Sequence, residues 1–165
     1  MTRAEAVRHF GAMTLALIGD RTVEIVRVFD APRQLVFDAH SAPEHVSRWW
    51  GPRGTTMTSC EMDFRSGGSW RFVLQKTNGR TYAFRGDYRE VVRPERIVQT
   101  FTIEGVPGDA IVETLTFTER DGRTTLTVTS AADSPEARDA MVRSGMADGA
   151  AQTYERLEEL LRAGL

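Results

Sequence analysis

Only one cysteine, Cys60, occurs in 165 residues. A single thiol excludes an internal disulfide and every metal framework built on cysteine pairs, and it suits a reducing compartment. Charge of one sign is missing as well. The chain carries 21 basic and 23 acidic residues, a net charge of −2, with no basic block. Nucleic acid is therefore not an expected partner. No apolar run approaches the roughly 20 residues of a membrane span, so no membrane insertion is expected. Arg3 and Arg8 flank an N-terminal stretch interrupted by Glu5 and His9, and the short apolar run Met13 to Ile18 is followed by no small-residue cleavage site. No signal peptide is expected, and the protein is expected to be cytoplasmic.

Histidine is scarce too. His40 and His45 have Pro43 between them and cannot share one helix face as paired ligands do, and His9 lies in an unassigned segment. No metal site is expected from these residues. There is no Gly-x-Ser-x-Gly elbow and no phosphate-cradling glycine loop ahead of a helix, so neither nucleophilic catalysis nor a cofactor is expected.

What is present is aromatic and clustered. Trp49 and Trp50 sit side by side before the Gly51-Pro52 stop, and Trp70 opens a strand-like run after Gly67-Gly68. This much large apolar surface implies one interior where helices meet a curled sheet. A chain of this length fits a single domain that buries roughly two-thirds of its unfolded surface. Residues 1–20 are an extension of open structure, compatible with a frayed helix or with a strand over Met13 to Ile18; residues 21–165 form the domain.

Thr22 to Phe29 reads as a strand. Asp30 is placed to cap a first short helix carrying Pro32, and Ser41-Ala42-Pro43-Glu44 has the capping-box spacing for a second. Alternation then marks Thr56 to Phe64, Trp70 to Leu74, Tyr82 onward, Ile97 to Ile103, Ile111 to Thr118 and Thr124 to Thr129, joined by turns such as Asn78-Gly79 and Asp121-Gly122. That gives about seven strands in an antiparallel sheet. Asp133 and Glu136 form a second capping-box pair, with Ser134 as rival cap, for a single long C-terminal helix whose stripe includes Val142, Met146, Gly149, Thr153, Tyr154, Leu157 and Leu161. The fold class is α+β, a helix-grip architecture with a bent sheet wrapped around that helix.

The runs Phe29-Asp30-Ala31-Pro32-Arg33, Trp49-Trp50-Gly51-Pro52 and Glu61 to Gly68 resemble the activator of heat-shock protein 90 ATPase-like branch of the START/birch-pollen-allergen (SRPBCC) superfamily. Phe84 to Val91 and Gly145-Met146-Ala147-Asp148-Gly149 are similar to it as well, and the resemblance runs from about Thr22 to Leu161 in the family's order. It implies a deep cavity between the long helix and the concave sheet face, often holding a lipid-like, aromatic or polyketide ligand. Two positions depart from the family pattern. Ala150 follows Gly149 where a tryptophan is usual, and His40 follows Ala39 where an aromatic residue is common. Tyr154 stands where relatives tend to have leucine and is placed to refill the space left at Ala150.

The expected ligand walls come from Trp49, Trp70, Phe72, Phe84, Tyr88, Phe101 and Phe117, together with Met141, Gly145, Met146, Gly149 and Tyr154 of the closing helix. By default these residues are simply core; small residues facing the rings are what make a void. His40 is a candidate polar contact or base, against the simpler reading of a core-edge histidine bonded to a backbone carbonyl. Glu90 is in phase with Phe84 and Tyr88, so it is a candidate inward acid, against a salt bridge at the rim. Cys60 reads as a small buried residue. The leading expectation is a binder of a small hydrophobic or aromatic molecule, a carrier or sensor. The alternatives are a co-chaperone-like module with a protein partner or a homodimer, and a cyclase or dehydratase using His40 or Glu90.

Overall fold

The computed structural model describes residues 7–165; residues 1–6, part of the N-terminal extension, lie outside the described residues. The strands are β1 (Arg8–Phe10), β2 (Met13–Ile18), β3 (Thr22–Phe29), β4 (Thr55–Met62), β5 (Ser69–Lys76), β6 (Thr81–Val92), β7 (Arg96–Ile103), β8 (Ile111–Arg120) and β9 (Arg123–Ala131). They form one antiparallel sheet in the order β1-β2-β3-β9-β8-β7-β6-β5-β4. Nine strands replace the expected seven, because both strands of the N-terminal hairpin join the sheet beside β3. Met13 to Ile18 is thus a strand: Met13 and Leu15 are buried against the core, which a frayed helix could not arrange at that spacing.

Helices α1 (Arg33–Asp38) and α2 (Pro43–Val46) bridge β3 to β4. Neither uses the expected cap. Helix α1 begins after Pro32 with no side-chain cap, and the Arg33 amide donates instead to Glu119 across the sheet. Helix α2 follows Ala42, while the Ser41 hydroxyl donates back to the Asp38 carbonyl and ends α1. At the C-terminal segment Ser134, the rival, is the cap and accepts from the Ala137 amide.

The single long helix is in fact two, α3 (Pro135–Arg143) and α4 (Met146–Ala163). Gly145 sits at φ 83°, a left-handed conformation that breaks the helical ladder and that glycine adopts without cost. Buried Arg138 ties α3 down, donating to the Gly19 and Thr22 carbonyls at the β2–β3 turn.

The core lies between α4, α1 and the concave sheet face, where Val23, Ile25, Phe29, Ile97, Leu115, Phe117, Leu126 and Val128 meet Trp49, Leu157, Leu160 and Leu161. Arg27 is in phase with Ile25 and Phe29, so it too points inward, and its guanidinium donates to Glu158 of α4 at 2.6 Å. A register shift between Tyr88 and Glu90 puts one extra residue into β6 and bends the sheet there. The Gly67-Gly68 turn packs on the same place, exchanging backbone hydrogen bonds with Tyr88. Gly68 has no alternative, since a Cβ there would lie 1.9 Å from the Asp63 carbonyl oxygen.

Candidate ligand cavity

Between α4 and the sheet lies a cavity of about 100 Å³, open on one side. Its apolar walls are Val46, Trp49, Trp50, Phe64, Phe72, Ile97, Phe101, Leu115 and Val128, and its polar groups are His40, Tyr88, Gln99, Glu113, Thr153 and Tyr154. Five of the twelve expected wall residues are there: Trp49, Phe72, Tyr88, Phe101 and Tyr154. Aromatic packing fixes their positions. Trp50 meets Phe72 and Phe84 edge-on at 5.0 and 5.1 Å, and Phe84 in turn meets Phe101 at 5.7 Å. The Trp49 indole is locked by a 2.9 Å hydrogen bond to the Ala39 carbonyl.

The other expected wall residues lie elsewhere. Trp70 is buried in the aromatic stack with Trp50, Phe72 and Phe101, and it borders an open groove with Arg71, Arg85 and Asp87. Phe84 packs behind Trp50, and Phe117 sits behind His40 and Phe37. Met141 and Met146 pack against the edge of the core. Gly145 is exposed at the break between α3 and α4, because helix termination, not close packing, uses it. An added Cβ at Gly149 meets nothing within 4 Å, so this glycine permits no close approach to the sheet. Tyr154 stacks on Trp49 at 6.5 Å and meets Phe29 edge-on at 6.1 Å.

His40 takes the simpler of its two expected places, that of a core-edge histidine bonded to a backbone carbonyl. Its Nδ1 bonds the Val36 carbonyl at 2.8 Å, and its ring is held between Trp49 and Phe117 at 4.8 and 5.1 Å. That bond puts the ring proton on Nδ1 and leaves Nε2 a buried acceptor without a partner among the described residues. Burial pushes its pKa down to about 4, with the bond to Val36 opposing. His40 is therefore neutral at pH 7.

Glu90 does not enter the cavity. The extra residue in β6 turns it to the rim, where it pairs with Arg96. The carboxyl group in the cavity is Glu113, which was not among the expected site residues. Gln99 Nε2 donates to its Oε1 at 3.0 Å. Burial raises its pKa, and the hydrogen bonds with Gln99 and Ser130 oppose the shift. Burial likewise raises both phenols: Tyr154, with the Glu113 charge as second cause, and Tyr88. The signal for Glu113 was legible, since it lies in phase with buried Leu115 and Phe117.

Cys60 is half-buried and its thiol is pushed up to about 11, chiefly by burial and then by Glu44, which leaves no reactive thiolate at pH 7. Among the described residues no cluster of three or more histidine, cysteine or acidic side chains could hold a metal ion. Among the described residues no helix is long and apolar enough to cross a membrane.

The model of the family described as Activator of Hsp90 ATPase homolog 1-like protein matches residues 30–162. Among solved structures, a Rhodobacter sphaeroides protein is 27% identical with a TM-score of 0.87, covering 92% of this chain and 99% of its own. A Mycobacterium smegmatis protein, 24% identical with a TM-score of 0.78, covers 99% of this chain and 100% of its own. A Nitrosomonas europaea protein, 22% identical with a TM-score of 0.80, covers 89% and 97%. The last two establish shared fold. No curated protein matches the chain.

Proposed function

The chain belongs to the Activator of Hsp90 ATPase homolog 1-like family, and from that premise we propose that it binds a small, mainly apolar molecule between α4 and the concave sheet face, as a carrier or sensor. The observation that carries this reading is the cavity itself, walled by aromatic rings and furnished with few polar groups, which is the usual make-up of a small-molecule site. Its volume sets the scale of the ligand. About 100 Å³ holds roughly three waters, and a dry cavity of roughly 150 Å³ is known to take benzene. The ligand is of single-ring size or smaller, or a larger molecule that places only one such group inside and extends through the open side. A lipid chain or polyketide wholly enclosed is too large without movement of α4.

Ligand-detected NMR together with thermal shift tests this. Five- and six-membered rings should bind and raise Tm, and Leu115→Trp, which fills the cavity, should abolish both effects. Absence of binding by every small ring would end the reading.

The family description favours a second reading, stimulation of a chaperone ATPase through a protein surface. Co-elution with the bacterial chaperone and a rise in its ATPase rate are its signatures, and neither depends on filling the cavity.

A further inference from the structure

One row of side chains crosses the concave face at paired register positions: Tyr88 on β6, Gln99 on β7, Glu113 on β8 and Ser130 on β9. The neighbouring row, Ile97, Leu115 and Val128, is wholly apolar. A polar line four strands long, set in an aromatic interior, is costly unless its groups are satisfied. Tyr154 of α4 lines the same cavity as this row's Tyr88, Gln99 and Glu113.

Glu113 completes the set. Gln99 occupies its Oε1, and no arginine or lysine lines the cavity among the described residues. Burial disfavours the charged form of Glu113, against the hydrogen bonds with Gln99 and Ser130, and in its protonated form the carboxyl has an O–H to donate. The remaining acceptor nitrogen, His40 Nε2, is sealed in the core and does not compete for the same ligand atom.

We propose that the cavity selects ligands carrying a carbonyl oxygen, which Tyr154 and the Glu113 carboxylic acid hold as paired hydroxyl donors. A phenol beside a carboxylic acid kept neutral by apolar surroundings is a donor arrangement suited to a ketone or enolate oxygen. The inference rests on the cavity-binding reading above and adds the chemical class of the ligand.

The test is NMR titration of the full chain with three rings of similar size: cyclopentanone (acceptor oxygen), cyclopentene (no polar group) and pyrrole (donor only). Cyclopentanone should bind at least about fivefold more tightly than cyclopentene, the worth of one to two neutral hydrogen bonds. Tyr154→Phe and Glu113→Leu should bring the ketone close to the hydrocarbon value. Glu113→Gln keeps a donor at Oε2 and should stay within about twofold of the wild type. Circular dichroism checks that each variant is folded, and if Glu113→Leu is not, Tyr154→Phe and Glu113→Gln carry the test. Equal binding of ketone and hydrocarbon overturns this inference and leaves the cavity-binding reading standing. So does tighter binding of pyrrole, or a Glu113→Gln variant that loses the ketone. Failure of all three rings overturns both.

Discussion

Nδ1 of His40 donates to the Val36 carbonyl at 2.8 Å, one helical turn back, and this bond holds the imidazole in the tautomer whose Nε2 faces the aromatic core as a bare acceptor. The arrangement stabilises the neutral ring and makes the charged ring expensive.

The first prediction follows from that cost. With a pKa of about 4 in the folded state against 6.5 unfolded, the unfolded chain binds more protons across the interval between them. Stability contributed by neutral His40 is therefore complete above pH 6.5 and falls as the pH drops toward 4. At pH 5 the loss is about 2 kcal/mol. His40→Phe removes this loss. Urea unfolding of both proteins at pH 7.5 and pH 5 should show the variant gaining about 2 kcal/mol on the wild type at the lower pH; an equal difference at both values would count against the assignment.

Glu113 has the opposite sign. Its folded pKa is raised, so its favourable contribution is complete below the unfolded carboxyl pKa and is lost as the pH rises toward the folded value. Glu113→Gln, the neutral isostere, should gain on the wild type as the pH climbs from 5 to 8, and the Tm difference between the two should widen steadily. A difference that stays flat over this range would mean that folding does not raise the Glu113 pKa.

The Arg27–Glu158 pair joins β3 to α4 with the guanidinium buried and the carboxylate partly exposed. Glu158→Leu strands a buried cation and should cost about 3 kcal/mol. Arg27→Met combined with Glu158→Leu should recover most of that loss, because two apolar side chains of similar size replace the pair. A double-mutant cycle by chemical denaturation reads both numbers.

Two glycines should respond in opposite directions. A Cβ on Gly86 would lie 1.9 Å from the Thr100 carbonyl oxygen and 2.7 Å from the Trp70 indole nitrogen, so Gly86→Ala must push β6 away from β7 and should unfold a substantial fraction of the protein at 37 °C. Gly149→Ala adds a methyl group to a helix in open space and should stabilise by about 0.8 kcal/mol. Thermal melts suffice for both.

Much of the frame was legible from residue spacing. Seven strands and the two short helices carry their own periodicity and turn residues, and Asn78-Gly79 and Asp121-Gly122 mark their hairpins without help from the rest of the chain. The N-terminal hairpin was not legible, because Arg8 to Phe10 is too short to show alternation and is held by pairing with β2. The helix break at Gly145 was obscured because Val142, Met146 and Gly149 continue the apolar stripe across it. Of the twelve residues named for the ligand walls, Trp49, Phe72, Tyr88, Phe101 and Tyr154 line the cavity. Glu90 was named as the inward acid, but an inserted residue in β6 reverses its facing, and a register shift leaves no mark in a single sequence.

The succession of seven strands, the hairpin pairing of consecutive strands and the supply of aromatic rings were settled by the sequence alone, since each depends on neighbours a few residues away; the β3–β9 pairing was not. Which groups share the cavity was decided only by the tertiary structure. Tyr88, Gln99, Glu113 and Tyr154 meet through strand register and helix placement, and those follow from the burial of the whole core, to which no short stretch of the chain has access.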